Sequence, residues 1–107
     1  MDVESWKSHI KYFLEPHPKY HAAGEDMWIP SKDYKIAFIF SGGLRIVGDA
    51  RSLIVNYNSP HHLNLSIETS SSSHDYYVLW EHLVAFELIR DHDTPEDALW
   101  PPRFTMN

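Results

Sequence analysis

Residues 77–89 read Tyr77-Val78-Leu79-Trp80-Glu81-His82-Leu83-Val84-Ala85-Phe86-Glu87-Leu88-Ile89, and how they fold decides the class of the protein. The run is apolar almost throughout, so neither a helical nor a strand period stands out. One buried helix fits it, and so do two strands broken near Glu81-His82. Aromatic and β-branched side chains dominate, and these suit a pleated, half-buried surface. The residues before it form a series of short strand-like runs. We therefore read two strands with a corner between them.

Working back along the chain, His62 to Thr69 alternates cleanly. Leu63, Leu65 and Ile67 fall on one face, and Asn64, Ser66 and Glu68 on the other, as in an antiparallel sheet with one wet side. Ser70 to Ser73 is a polar loop. Ser52 to Tyr57 is a further strand, ended by the Asn58-Ser59-Pro60 turn. Tyr34 to Phe40 and Leu44 to Val47 flank Gly42-Gly43, two residues that tolerate positive φ and so fit a hairpin turn. At the start, Trp6, Ile10, Phe13 and Leu14 recur at helical spacing over residues 2–15, with Asp2 placed to cap the first turn. Pro16 and Pro18 stop that helix, and residues 16–21 read as a stiff extended connector. At the other end, Thr94-Pro95-Glu96-Asp97 carries a helix N-cap, a proline at the first helical position and acids for the positive end of the dipole. A short C-terminal helix should follow, ending at Pro101-Pro102. The expected fold is mainly β (α+β). It has an N-terminal helix, then an antiparallel strand meander forming a sandwich or partly open barrel, then that short helix. It is one domain over residues 1–107, since 107 residues leave room for a single core.

Composition closes off several functions. There is no cysteine, hence no disulfide framework and no thiolate metal site. The first residues, Met-Asp-Val-Glu-Ser-Trp, lack the basic and apolar regions of a signal peptide, and no apolar run approaches the length of a membrane span. A cytoplasmic location is expected. A net charge of −6 argues against general nucleic-acid binding. That charge is unevenly placed. Glu87, Asp91, Asp93, Glu96 and Asp97 against Arg90 leave −4 in eleven residues, and the other ten acids and eight bases leave −2. The N-cap explains Glu96 and Asp97 but not Asp91 and Asp93.

No catalytic motif competes with this acidic end. Eight histidines invite a metal. However, His61 and His62 are adjacent, and on a strand they would point to opposite faces. His17 and His21 lie in a proline-interrupted connector. A site assembled in space from His62, His74 and a carboxylate is the one metal arrangement left open. Glu81-His82 reads either as a base with its orienter or, more simply, as a turn. Gly42-Gly43 lacks the Lys-Ser/Thr of a phosphate loop. No cofactor is implied and no enzymatic role is expected. Trp6, Phe38, Phe40, Tyr77 and Phe86 have core-like spacing. Trp28, Trp80 and Trp100 adjoin polar or proline-rich segments, where exposed tryptophan beside acids makes a protein-binding hot spot. The expected partner-binding residues are Asp91, Asp93, Glu96, Asp97, Trp100 and Glu87, with Glu25, Asp26 and Trp28 as a second patch.

In broad profile, carried by the acids at 91–97 and the flanking Trp80 and Trp100, the chain resembles the immunity proteins encoded beside bacterial polymorphic toxins, including those of contact-dependent growth inhibition. The resemblance implies a cytoplasmic protein that binds a basic protein toxin, commonly a nuclease, and occludes its active-site cleft. It implies no role for nucleic acid or membrane as partners. The strand–corner–strand from Leu79 to Glu87 also looks like small bacterial SH3-like or pleckstrin-like barrels, which implies a peptide or ligand adaptor. A small metal-dependent enzyme built on the histidines is the third reading.

Overall fold

The computed structural model describes residues 2–90. Helix α1 spans Val3–Lys11, and the strands are β1 (Leu14–Pro16), β2 (Met27–Pro30), β3 (Lys35–Phe40), β4 (Arg45–Gly48), β5 (Leu53–Asn56), β6 (His62–Glu68), β7 (Ser73–Leu79) and β8 (Leu83–Ile89). A single 3-10 turn, Trp80–His82, joins β7 to β8. Residues 77–89 are thus two strands with a corner at Trp80–His82.

All pairings are antiparallel. One sheet has the order β1-β2-β5-β6-β7 and the other β4-β3-β8. Strands β5 to β7 form a meander. The β3–β4 hairpin leaves the first sheet and builds the second, so β2 pairs with β5 rather than with its sequence neighbour. The two sheets share one core. Ile36, Phe38 and Ile46 from the smaller sheet meet Leu53, Leu63 and Leu65 from the larger one, each at most 5% exposed.

Helix α1 bridges the two sheets at one side of that core. Asp2 caps it, its Oδ1 accepting from the Ser5 N–H at 2.8 Å. That bond holds the Asp2 carboxyl below its ordinary range. Trp6 packs edge-on against Phe86 of β8 at 6.3 Å, while Lys11 lies 4.8 Å from the Trp28 ring of β2. The helix ends at Lys11, four residues earlier than its apolar spacing suggests. Leu14 is instead a buried strand residue paired with Pro30. Pro16 closes β1, and residues 18–24 form turns rather than an extended connector. The expected C-terminal helix lies outside the described residues.

The Gly42-Gly43 turn is present, with φ of 89° and 92°. The Gly43 N–H donates to the Phe40 carbonyl at 3.2 Å and closes the turn. Three burial expectations are corrected. Trp80 is 2% exposed, because the corner swings it inward onto Tyr57 with ring centroids 5.7 Å apart. Tyr77 is 68% exposed, because it stands on the outer face of the edge strand β7. Asn64 also stands on the outer face yet is only 8% exposed, and its Nδ2 donates to the Tyr76 carbonyl at 3.3 Å.

Phe38→Ala should cost about 3–5 kcal/mol in chemical denaturation, since Phe38 lies fully inside the shared core. Gly48→Ala should cost about 1–3 kcal/mol, because a Cβ there would stand 2.5 Å from Leu53 Cβ in the facing sheet. An unchanged midpoint in either variant contradicts this packing.

Candidate functional site

Glu87, the first of the expected acids, lies on the outer face of β8. The register sets Glu87 opposite Ala37 and Arg45 opposite Ile39. The two side chains meet diagonally across β3, with Arg45 Nη2 donating to Glu87 Oε1 at 2.7 Å. The small side chain of Ala37, fully buried, leaves room for that crossing. Both partners remain about half exposed, so the pair contributes little to stability. It does occupy Glu87 within the chain. Asp91, Asp93, Glu96, Asp97 and Trp100 lie outside the described residues.

The second patch is a clamp between two loops. The Asn58 Nδ2 donates to Glu25 Oε1 at 3.1 Å, and the Asp26 N–H donates to Asn58 Oδ1 at 3.1 Å. Asp26 Oδ1 accepts from the Trp28 indole N–H at 2.6 Å. Trp28 is half-buried, with His21 edge-on at 4.7 Å and Lys11 over its ring. Glu25, Asp26 and Trp28 therefore do come together, but their polar atoms serve one another. They sit on the larger sheet and Glu87 on the smaller, so the structure does not join the two patches.

Beneath the clamp, Tyr57 is buried and its hydroxyl has no hydrogen-bond partner. Burial, helped by the nearby Asp26 charge, pushes the Tyr57 hydroxyl well above the ordinary tyrosine range. The indole N–H of Trp80 beside it is likewise unpartnered.

The histidines mostly close turns. His17 Nδ1 accepts from the Lys19 and Tyr20 N–H groups at 3.1 and 3.2 Å. His82 Nδ1 lies 3.1 Å from the Ser41 hydroxyl. His62 pairs with Leu79 and His74 with Ile67. They therefore stand on opposite faces of the sheet and cannot share an ion. Among the described residues no group of three or more His, Asp or Glu could hold a metal. The Glu81-His82 pair is the exposed side of the corner.

Two surface hollows stand out. One of about 370 Å³ is lined by Lys32, Lys35 and Arg51 with Asp33 and Asp49. Partial burial works against the charged form of Asp49, but hydrogen bonds from the Arg51 N–H and the Ser52 hydroxyl outweigh it and hold its carboxyl below the usual range. A second hollow, about 340 Å³, lies between Tyr20 and Ile54 with Lys19 and Arg51 at its rim.

A further exposed apolar surface lies on β7. Tyr76, Tyr77 and Leu79 are 37%, 68% and 37% exposed, beside exposed Asp75 and Glu81. Sequence reasoning placed Tyr77 in the core and passed over Tyr76 and Leu79. The readable signal was that residues 52–89 contain no lysine or arginine. Comparison with protein-family models, with curated proteins and with solved structures finds no match.

Tyr57 makes stability pH-dependent on the alkaline side. The fold favours the protonated hydroxyl, so its contribution is complete below pH ~10 and declines by about 1.4 kcal/mol per pH unit above it. Tyr57→Phe should be within about 1 kcal/mol of the parent at pH 7, since it removes an unpartnered buried hydroxyl, and should flatten the alkaline decline. Denaturant titrations at neutral and alkaline pH check this; equal slopes in both proteins contradict it.

Proposed function

We propose that this protein is an inhibitor of the immunity type, which binds a cognate protein toxin and neutralises it by covering a basic active-site cleft. The observation that supports this reading best is the outer face of β7, where Tyr77 and Leu79 are exposed in line with Asp75 and next to Glu81. Large exposed aromatic and apolar side chains with an acidic surround are what a basic partner is held by: apolar contact slows dissociation and charge speeds encounter. The acids at 91–97 would add to that attraction on the same sign of charge. No helix among the described residues is long and apolar enough to cross a membrane, and a cytoplasmic inhibitor needs none.

The second reading is an adaptor for a small ligand. The hollow between Tyr20 and Ile54 favours it, since its lining offers an aromatic ring with the two cations Lys19 and Arg51 against the one carboxylate Glu68. Such a protein would bind an anionic ligand there and leave β7 untouched.

The inhibitor reading predicts a toxin-like reading frame immediately upstream in the source genome. Its product should arrest growth when expressed alone and not when expressed with this chain. The pair should copurify in a one-to-one complex whose affinity falls steeply with salt. Growth arrest that coexpression does not relieve contradicts the reading.

A further inference from the structure

We propose that β7 takes up an additional strand from a basic polypeptide, extending the larger sheet by one strand. The inference rests on the binding role proposed above, and the experiment below separates the two.

The hydrogen-bond alternation of the β6–β7 ladder fixes which groups of β7 face outward. At one end the Thr69 N–H donates to the Ser72 carbonyl at 2.8 Å, and at the other the Trp80 N–H donates to the His61 carbonyl at 3.3 Å. Between them the register runs unbroken from Glu68 opposite Ser73 to His62 opposite Leu79. In an antiparallel ladder bonded and non-bonded pairs alternate. Ile67–His74, Leu65–Tyr76 and Leu63–Val78 are therefore the bonded pairs. The N–H and C=O groups of Ser73, Asp75, Tyr77 and Leu79 point away from β6, toward the open side. Among the described residues no backbone hydrogen bond is made on that side.

The other three edges each carry a device that discourages pairing. β1 is three residues long and ends in Pro16. β4 is four residues long. β8 has a register shift at Ile39/Phe40, and Trp6 and Phe13 pack on its Phe86. β7 is seven residues long with an even register, no proline and no lysine. An open, seven-residue edge in even register is the template that strand addition uses.

Charge selects the occupant. Residues 52–89 hold Glu68, Asp75, Glu81 and Glu87 with no lysine or arginine; among the described residues Glu87 is ion-paired to Arg45 and Glu68 lines a hollow with Lys19 and Arg51, which leaves Asp75 and Glu81 as the acids at β7. The Ser66 hydroxyl donates to Asp75, which fixes that carboxylate on the outer face beside Tyr77. A second copy pairing through β7 would bring Asp75 toward another Asp75 with no cation supplied from either strand. The chain's own segment from Asp91 to Asp97 is acidic as well. An incoming strand that alternates lysine or arginine with β-branched residues can set its cations on the face of Asp75, Tyr77 and Leu79, where they meet Asp75 with opposite charge and lay their aliphatic stems along Tyr77 and Leu79, and its β-branched residues on the opposite face beside Tyr76 and Val78.

The test uses the full chain and a set of blocked eight-residue peptides that alternate Lys or Arg with Val, Ile or Thr, with Glu-for-Lys peptides as controls. Amide hydrogen exchange should show Asp75, Tyr77 and Leu79 exchanging freely in the protein alone and slowing when a basic peptide is added, with the control peptides inert. Tyr77→Pro removes one outward N–H and no ladder bond, a position where an edge strand accepts proline. It should weaken peptide binding by about tenfold or more, while Tyr77→Thr, which keeps the N–H, should weaken it by about threefold or less. Thermal unfolding of both variants reports that the sheet is intact, and if Tyr77→Pro fails to fold, the exchange pattern of the parent protein decides alone. Slow β7 exchange in the protein alone overturns the proposal: if it depends on concentration a second copy holds the edge, and if not, the chain's own remaining segment does. Peptide binding without change at Asp75, Tyr77 and Leu79, or no binding by any basic peptide, overturns it too. Growth protection that survives Tyr77→Pro would leave the inhibitor reading standing and remove the strand; peptide capture without growth protection would do the reverse.

Discussion

The corner at Trp80–His82 is the constraint on which the rest depends. Within three residues the chain leaves the larger sheet at Leu79 and enters the smaller one at Leu83. Each side of the corner is tied to its own sheet. The Trp80 N–H reaches the His61 carbonyl next to β6, and the Ser41 N–H donates to the His82 carbonyl at 2.7 Å beside the β3–β4 turn. Trp80 itself fills the space between, against Tyr57. One buried indole and two backbone bonds thus fix how the sheets face each other. The same corner determines what is left open. It sends β8 to pair with β3, where α1 can cover Phe86, and leaves β7 at the margin of the other sheet, with β6 as its one strand partner among the described residues.

Much of this was legible in the residues because the signals were local. Asp2 before an amphipathic run caps a helix, two glycines between apolar runs turn a hairpin, and Leu63, Leu65 and Ile67 alternate with polar residues on a strand. Each follows from a few adjacent residues and holds in the structure. The strand assignment of residues 77–89 came from side-chain type rather than from period, and it holds for the same reason.

What was not legible depends on neighbours distant in sequence. Trp80 reads as exposed because Glu81-His82 follows it, and only the turn direction shows that it points inward. Tyr77 reads as core because its neighbours are apolar, yet it stands on the outer face of an edge strand, where among the described residues it is 68% exposed. The early end of α1 is the same kind of case. Leu14 sits at a helical spacing, but a strand partner in Pro30 claims it. Glu25 and Asp26 look like free surface charge, and their partners, Asn58 and Trp28, are found through the pairing of β2 with β5. That pairing spans the whole β3–β4 hairpin and has no local trace.

The aromatic side chains therefore divide into two sets with different work. Phe38, Phe40, Tyr57 and Trp80 close the core, and Tyr77 stands outside it on β7, a seven-residue strand that is an open edge among the described residues. Asp75 stands on the outer face of that edge and residues 52–89 hold no lysine or arginine, so the edge favours a basic partner by electrostatics before any contact forms. The most direct measurement is photocrosslinking in living cells from a benzophenone amino acid placed at position 77, with position 12, 85% exposed on the far side of α1's end, as the comparison. A covalent adduct of one defined mass from position 77, and none from position 12, is the expected result. Adducts from position 12 with position 77 silent would contradict a binding surface on β7.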